Sequence, residues 1–171
     1  AGRGCPVTAY RQTSVICLPW SHVEERLTRA MAYWVCTVDP QGRQHAAPVD
    51  GNWLDGALYF SGAATTRRHR NLLANPAACI HLESASDVII LHGSARPLLS
   101  PHNALVQRLI RLALEKYGYA APPEVYSSGG VFVFTPSRCL PGAASPRTPP
   151  AGHLPTEIDS ESFTPPRPGG R

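Results

Sequence analysis

Between Tyr33 and Ser61 the chain alternates β-branched and aromatic runs with turns too short for a crossover, and this pattern restricts the fold more than any other feature. "YWVCTV" reads as a strand, and "DPQGR" as a turn with Pro and Gly where a turn needs them. "RQHAAPVDGNWL" reads as a second strand, bent near Pro48 and Gly51 because proline cannot donate to a ladder. Asp55-Gly56 is a tight hairpin signal, and "ALYFS" follows as the third strand. Strands joined this closely pair antiparallel, since parallel neighbours need a crossover of about a dozen residues.

The flanking segments supply helices and further strands. "LPWSHVEERLTRAMAYW" predicts a helix over about 22–32, with Ser21 and Glu24 as a capping box and Val23, Leu27, Ala30 and Met31 at helical spacing. A short helix is predicted after Thr66, stopped at Asn75-Pro76. In "AACIHLES" the residues Cys79, His81 and Glu83 alternate with Ala78, Ile80 and Leu82, as in a half-buried strand. "DVIILHGSARPL" is apolar enough to predict burial on both faces. Ser100-Pro101 reads as a cap and first-position proline, opening a longer helix with Leu105, Leu109, Leu112 and Ala113 on its apolar side. "GGVFVFTP" predicts a closing strand.

Beyond Pro136 the apolar period ends, and residues 136–171 hold half of the 18 prolines. The predicted organisation is therefore a loose lead-in over 1–17, one domain over 18–135 and a Pro-rich disordered tail over 136–171. Strands in sequential hairpins with two or three helices place the domain in the α+β class, as a small antiparallel barrel.

The formal net charge of +4 invites a nucleic-acid reading, but its location argues otherwise. Residues 1–17 carry Arg3 and Arg11 without an acid, and residues 136–171 carry four arginines against three acids. The segment between is nearly neutral, so no broad basic face is predicted there. Cysteines 5, 17, 36, 79 and 139 form no Cys-x-x-Cys pair, and their odd number cannot pair fully within one chain. Cys36 and Cys79 lie in strand-like runs where a thiol acts as a small hydrophobe, which predicts a reduced, cytoplasmic protein. No apolar run reaches the roughly 18 residues of a membrane span. The first residues lack a signal-peptide pattern, and the absence of an initiator Met reads as a fragment or a processed form.

"SGAATTRRHRNLLANP", residues 61–76, is the local exception to the neutral charge. A helix starting near Thr66 would present backbone N–H groups and the positive end of its dipole to an anion. Thr65 or Thr66 can cap it, and Arg67 and Arg68 add planar charged forks suited to phosphate. A capped helix with a solvated basic face accounts for the same residues. The histidines have no zinc-enzyme spacing, so no metal site is predicted. No nucleophile elbow accompanies "SGAA" or "YSSGG", and Trp34 and Trp53 read as core or interface residues.

Taken together, residues 20–98 resemble the pyridoxamine 5′-phosphate oxidase-like, FMN-binding split-barrel family, and within it the flavin/deazaflavin-dependent oxidoreductases of actinobacteria. "YWVCTVDPQGRQHAAPVDGNWLDGALYFS" is similar to the family's strand, PDGRPH-like turn, "PV" strand and "LYF" strand; "TTRRHRNLLANP" is similar to its S-x-K-x-x-N-L-x-x-N-P phosphate element, and "HLESASDVIILHGSA" to its next strand pair. The resemblance implies a split β-barrel homodimer with FMN or the deazaflavin coenzyme F-420 at the interface. By position, Thr66 matches the phosphate-binding serine or threonine, Arg68 the usual lysine and Arg67 the residue between them. Ser61 would approach the phosphate or ribityl arm, and Ala47, Pro48 and Val49 match the strand against the ring. Asp50 stands where the family often has an aromatic or apolar residue, and "PSRCLPGAASPRTPPAGHLP" replaces the usual Arg-Trp-containing ending.

The implied function is flavin- or deazaflavin-dependent oxidation or reduction of a small molecule, with no catalytic acid or base required of the protein. One alternative is a non-catalytic haem- or flavin-binding split barrel, with His45, His81 or His92 as a haem ligand. A third is a small nucleic-acid-binding barrel using Arg67, Arg68 and Arg70, disfavoured by the lack of interleaved aromatics.

Overall fold

The bend expected near Pro48 is a corner that decides the architecture. The computed structural model describes residues 19–84 and 86–143. In chain order the elements are α1 (Trp20–Arg29), β1 (Tyr33–Val38), β2 (Gln44–Val49), β3 (Gly51–Leu54), β4 (Ala57–Ser61), α2 (Arg67–Ala74), β5 (Ala77–His81), β6 (Asp87–Pro97), α3 (Asn103–Tyr117), α4 (Pro123–Ser127) and β7 (Val131–Ala143). The seven strands form one antiparallel sheet in the order β2-β1-β5-β6-β7-β4-β3. Strands β2 and β3 are thus at opposite edges, yet Asp50 alone separates them in sequence. Neighbouring Cα atoms are about 3.8 Å apart, so the two edges must meet at Asp50. The sheet curls into a split half-barrel around its core, and the fold is α+β as the sequence implied.

Tyr33, Val35, Ile80, Leu91, Phe60 and Phe134 point inward and are almost fully buried. Fully burying each such side chain contributes about 1.5–3 kcal/mol. A second apolar cluster, with Leu54, Val106, Leu109, Tyr126 and Val131, seats α3 and α4 on the β3-β4-β7 side. The predicted Asp55-Gly56 hairpin is present, with φ of 52° and 80° at the two residues as a primed turn needs. The "DPQGR" turn closes on the Asp39 carboxylate, which accepts N–H bonds from Gln41 and Arg43.

Several boundaries differ from expectation. Helix α1 starts at Trp20, because the Pro19 carbonyl accepts the His22 N–H and takes the cap position expected of Ser21. It ends at Arg29, leaving Met31 exposed. Helix α3 starts at Asn103: Ser100 adopts φ 48°, outside helical space, and His102 is the cap residue. Strand β6 is buried on one face only, through Ile89, Leu91 and Ala95, while Ile90 is half-buried and His92 exposed. Helix α4 brings the helices to four among the described residues.

The largest departure is at the closing strand. Strand β7 continues through Pro136 to Ala143 and pairs with β6 down to Asp87, so eight residues assigned to the tail, 136–143, complete the sheet. Without them the Asp87–Leu91 backbone would lose a ladder partner. Pro136 is tolerated because the register slips there: Pro136 faces Gly93 and Arg138 faces His92, leaving Ser137 as the extra residue of a bulge. The Ser137 hydroxyl donates to the His92 carbonyl, and a Cβ on Gly93 would lie 2.2 Å from the Thr135 oxygen. Only glycine fits opposite this bulge. The lead-in 1–17 and the tail from 144 on lie outside the described residues.

Candidate functional site

The start of α2 is built by its own sequence. Thr66 is the N-cap residue: its Oγ1 accepts the His69 N–H at 3.2 Å and donates to the Ala63 carbonyl at 2.9 Å. The N–H groups of Arg67 and Arg68, first in the helix, are left without an acceptor in the described chain. The buried Asn71 Nδ2 donates to the Thr37 hydroxyl at 3.0 Å, which pins α2 to β1, while the neighbouring Leu72 is buried in the core. Asn75 ends the helix and accepts the Ala77 N–H, starting β5.

Arg68 does not extend into solvent. Its Nη2 donates to the Ser61 carbonyl at 3.1 Å, and its guanidinium carbon lies 5.7 Å from the Phe60 ring centroid. The side chain is half-buried, and burial pushes its pKa below that of a free guanidinium. Among the described residues no carboxylate pairs with it. Gly62 makes the pose possible, since a Cβ there would lie 2.5 Å from Nη2. Arg67 is exposed, and Arg70 folds back to the Thr65 carbonyl at 2.7 Å. The three arginines therefore diverge and form no continuous basic strip.

Because the sheet edges meet at Asp50, β2 and the end of β4 come together beside α2. Pro48, Val49, Asp50, Ser61 and Arg68 line one open groove. Four of the residues singled out in the sequence are thereby gathered: Pro48, Val49, Ser61 and Arg68. Ala47 lies on the inner face of β2, opposite Val35, and Thr66 and Arg67 stand at the helix start without lining the groove. Asp50 turns its carboxylate to the Tyr119 hydroxyl, which donates to it.

A second cavity shares Asp50 and Ser61 with this groove and continues towards Tyr117 and Tyr126. Sequence reasoning missed the group that holds this corner. The Tyr117 hydroxyl accepts the Gly51 N–H at 2.9 Å and donates to the Gly51 carbonyl at 2.8 Å. Lys116 Nζ donates to the same carbonyl at 3.0 Å and to the Tyr33 hydroxyl at 3.2 Å. Burial pulls the Lys116 pKa down to about 8, with Asp50 opposing the shift. The available signal was compositional: Lys116 is the one lysine in a chain that otherwise uses arginine.

The histidines are dispersed. His22 and Arg26 meet Asp87 at 3.1 and 2.7 Å, His81 stacks on Trp34, and His69 meets the Phe132 ring edge-on. Among the described residues no three His, Cys, Asp or Glu side chains converge on a metal position, and no helix is long and apolar enough to cross a membrane.

A family model described as pyridoxamine 5′-phosphate oxidase matches residues 20–140, from the first helix to the closing strand. The chain belongs to the pyridoxamine 5′-phosphate oxidase family. Solved structures share the fold of this family member at low identity. A conserved hypothetical protein from Mycobacterium tuberculosis is similar at TM-score 0.62 and 14% identity, over 78% of this chain and 90% of that one. An F-420 reductase is similar at TM-score 0.51 and 19% identity, over 68% and 94% of the two chains. The haem storage protein HutZ of Vibrio cholerae is similar at 0.55 and 17%, over 71% and 93%. A comparison with curated protein sequences gave no match. Proteins named for a reductase activity and for haem storage thus share this fold, and the residues of the groove must carry the functional argument.

Proposed function

We propose that this family member binds a flavin-type cofactor, FMN or the deazaflavin coenzyme F-420, and oxidises or reduces a small molecule by hydride transfer. The observation that carries the reading is the Arg68 guanidinium: half-buried, without a carboxylate partner among the described residues, and facing the same groove as Pro48, Val49 and Ser61. A phosphate would supply the missing counter-charge, and the free N–H groups of Arg67 and Arg68 would add donors to it. Ser61 would meet the ribityl arm, and Ala47, Pro48 and Val49 would support the ring. The Thr66 proton is already given to Ala63, so its hydroxyl would serve chiefly by fixing the helix start.

When bound, such a ring supplies the hydride chemistry itself. The chain's part is to bind and orient it. The Lys116–Tyr117 clamp on Gly51 holds the corner that forms the groove wall. The reading includes a cytoplasmic homodimer with the cofactor between protomers. The test is a titration of the purified apo-protein with FMN and with coenzyme F-420, followed by absorbance and fluorescence. Saturable binding of one at micromolar concentration supports the reading and names the cofactor; a folded protein that binds neither overturns it.

Haem binding is a second reading, favoured by His92, which is exposed opposite Cys79 on the outer face of the sheet and lines an open groove there. It predicts a Soret band on haemin addition that His92→Ala removes.

A further inference from the structure

Cys36 on β1 and Cys79 on β5 are direct partners across an antiparallel ladder. Alternation puts both thiols on one face. On β1 the inward residues are Tyr33, Val35 and Thr37, all buried, so Cys36 faces outward with Trp34 and Val38, and Cys79 faces outward opposite it. Both are half-exposed free thiols, and both line one open groove. On that face Ala46 lies beside Cys36 and the His92 imidazole beside Cys79, with Ala77 and His81 along β5 and Trp34 and Val38 along β1, so the small Ala46 and Ala77 leave one side of the pair open. Cys139 is separate: it pairs with the buried Leu91 and packs against the core.

Directly opposed residues on antiparallel strands have Cα atoms about 4.5–5.5 Å apart, within the roughly 4.4–6.8 Å a disulfide requires. Their Cβ atoms, at about 4.5–5.5 Å, lie at or beyond the upper limit of disulfide geometry, ~3.5–4.5 Å. Closure therefore draws the two strands slightly together, and such a strained bond is easily reduced.

We propose that Cys36 and Cys79 are a reversible dithiol–disulfide site that exchanges with low-molecular-weight disulfides. The thiolate of one cysteine attacks the small disulfide RSSR, forming a protein mixed disulfide and releasing RS⁻. The second thiolate attacks the mixed disulfide at the protein sulfur, closing Cys36–Cys79 and releasing a second RS⁻. The two protein thiol protons end on the two released thiols, so two protein thiols are oxidised and one RSSR is reduced. Burial raises the pKa of both thiols, and the neighbouring Cys36 raises that of Cys79 further, so the exchange is slow near neutral pH and quickens as pH rises. The site is independent of the cofactor reading.

The test uses the full, reduced chain incubated with oxidised glutathione, alkylated and digested with trypsin without reduction. Peptides 30–43 and 71–108 are expected as one cross-linked species, lighter than their sum by two hydrogens and separated by dithiothreitol. A parallel readout is tryptophan emission, because Trp34 shares the outer face two residues from Cys36 and a disulfide quenches indole. Emission is expected to fall on oxidation and return on reduction in the parent. A Cys79→Ser chain should instead stop at a mixed disulfide on Cys36. Recovery of Cys36 and Cys79 separately alkylated or separately glutathionylated, or cross-linked only to Cys5, Cys17 or Cys139, would overturn the proposal.

Discussion

Arg68 reaches back seven residues to donate a 3.1 Å hydrogen bond to the Ser61 carbonyl, laying a cation across Gly62 and Phe60 at the mouth of the groove. This pose holds the charge ready while leaving donors of the guanidinium free. Replacing Arg68 by Ala is expected to weaken cofactor binding by roughly ten- to a hundredfold, the value of one or two charge-assisted bonds at about 1.5–3 kcal/mol. Arg68→Lys should recover part of the loss, since it keeps the charge without the fork. Calorimetric titration checks the affinities, and an unchanged melting temperature in Arg68→Ala would confirm that the fold is intact.

Asn71 belongs to the same sequence motif but does a different job. Removing its bond to Thr37 in Asn71→Ala leaves a buried hydroxyl short of a partner and should destabilise the protein by about 1–3 kcal/mol. Adding Thr37→Val should cost less than the two single changes summed, as expected of groups in contact. Urea unfolding of the four proteins measures the coupling; full additivity would contradict the contact.

Lys116 gives a pH signature. Its folded pKa of about 8 is below the unfolded 10.5, so between these values the unfolded chain holds more protons and this lysine's contribution to stability rises with pH. Below pH 8 the burial penalty is fully present. The side chain is only partly buried, so screening limits the gain to about 1–2 kcal/mol. Tyr33 acts in the opposite sense: burial raises its pKa, so above pH 10 the unfolded state loses a proton that the folded state keeps, and stability falls. The difference between parent and Lys116→Met, from urea unfolding at pH 7 to 10, isolates the lysine. It should favour the parent increasingly above pH 8.

The second half of β7 is open to hydrogen exchange. Amides that β7 donates to β6 between Arg138 and Ala143 should be protected well above peptide rates, and so should those of β6 from Asp87 to Leu91. Random-coil exchange past Pro136 would instead restore the tail boundary read from the sequence.

These cases show what a linear reading can reach. The strands from Tyr33 to His81 were legible because period-2 burial and turn chemistry are local, and Thr66 was legible as a cap for the same reason. The extension of β7 was not, because what orders Ser137–Ala143 is a ladder to β6, some 45 residues back at His92, and not any periodicity of its own. Nor was the corner: Tyr117 and Gly51 are 66 residues apart and meet only once the sheet has curled and α3 has packed on it. Ser21 and Ser100 looked like caps because their local residue patterns match, but the backbone beside each proline placed the helix start elsewhere. Arg68 was legible from its local charge at a helix start, Pro48, Val49 and Ser61 only through a family resemblance, and the structure gives the reason the four converge.

The central claim is that the groove at Ser61 and Arg68 holds the phosphate of a flavin-type cofactor. The most direct measurement compares the affinities of FMN and riboflavin, which differ only by that phosphate, in the parent and in Arg68→Ala. The parent is expected to prefer FMN by at least about tenfold, a contribution of roughly 1.4 kcal/mol, and Arg68→Ala to lose most of this preference while its affinity for riboflavin is little changed. Equal affinity of the parent for the two compounds, or a preference that survives in Arg68→Ala, would contradict the claim.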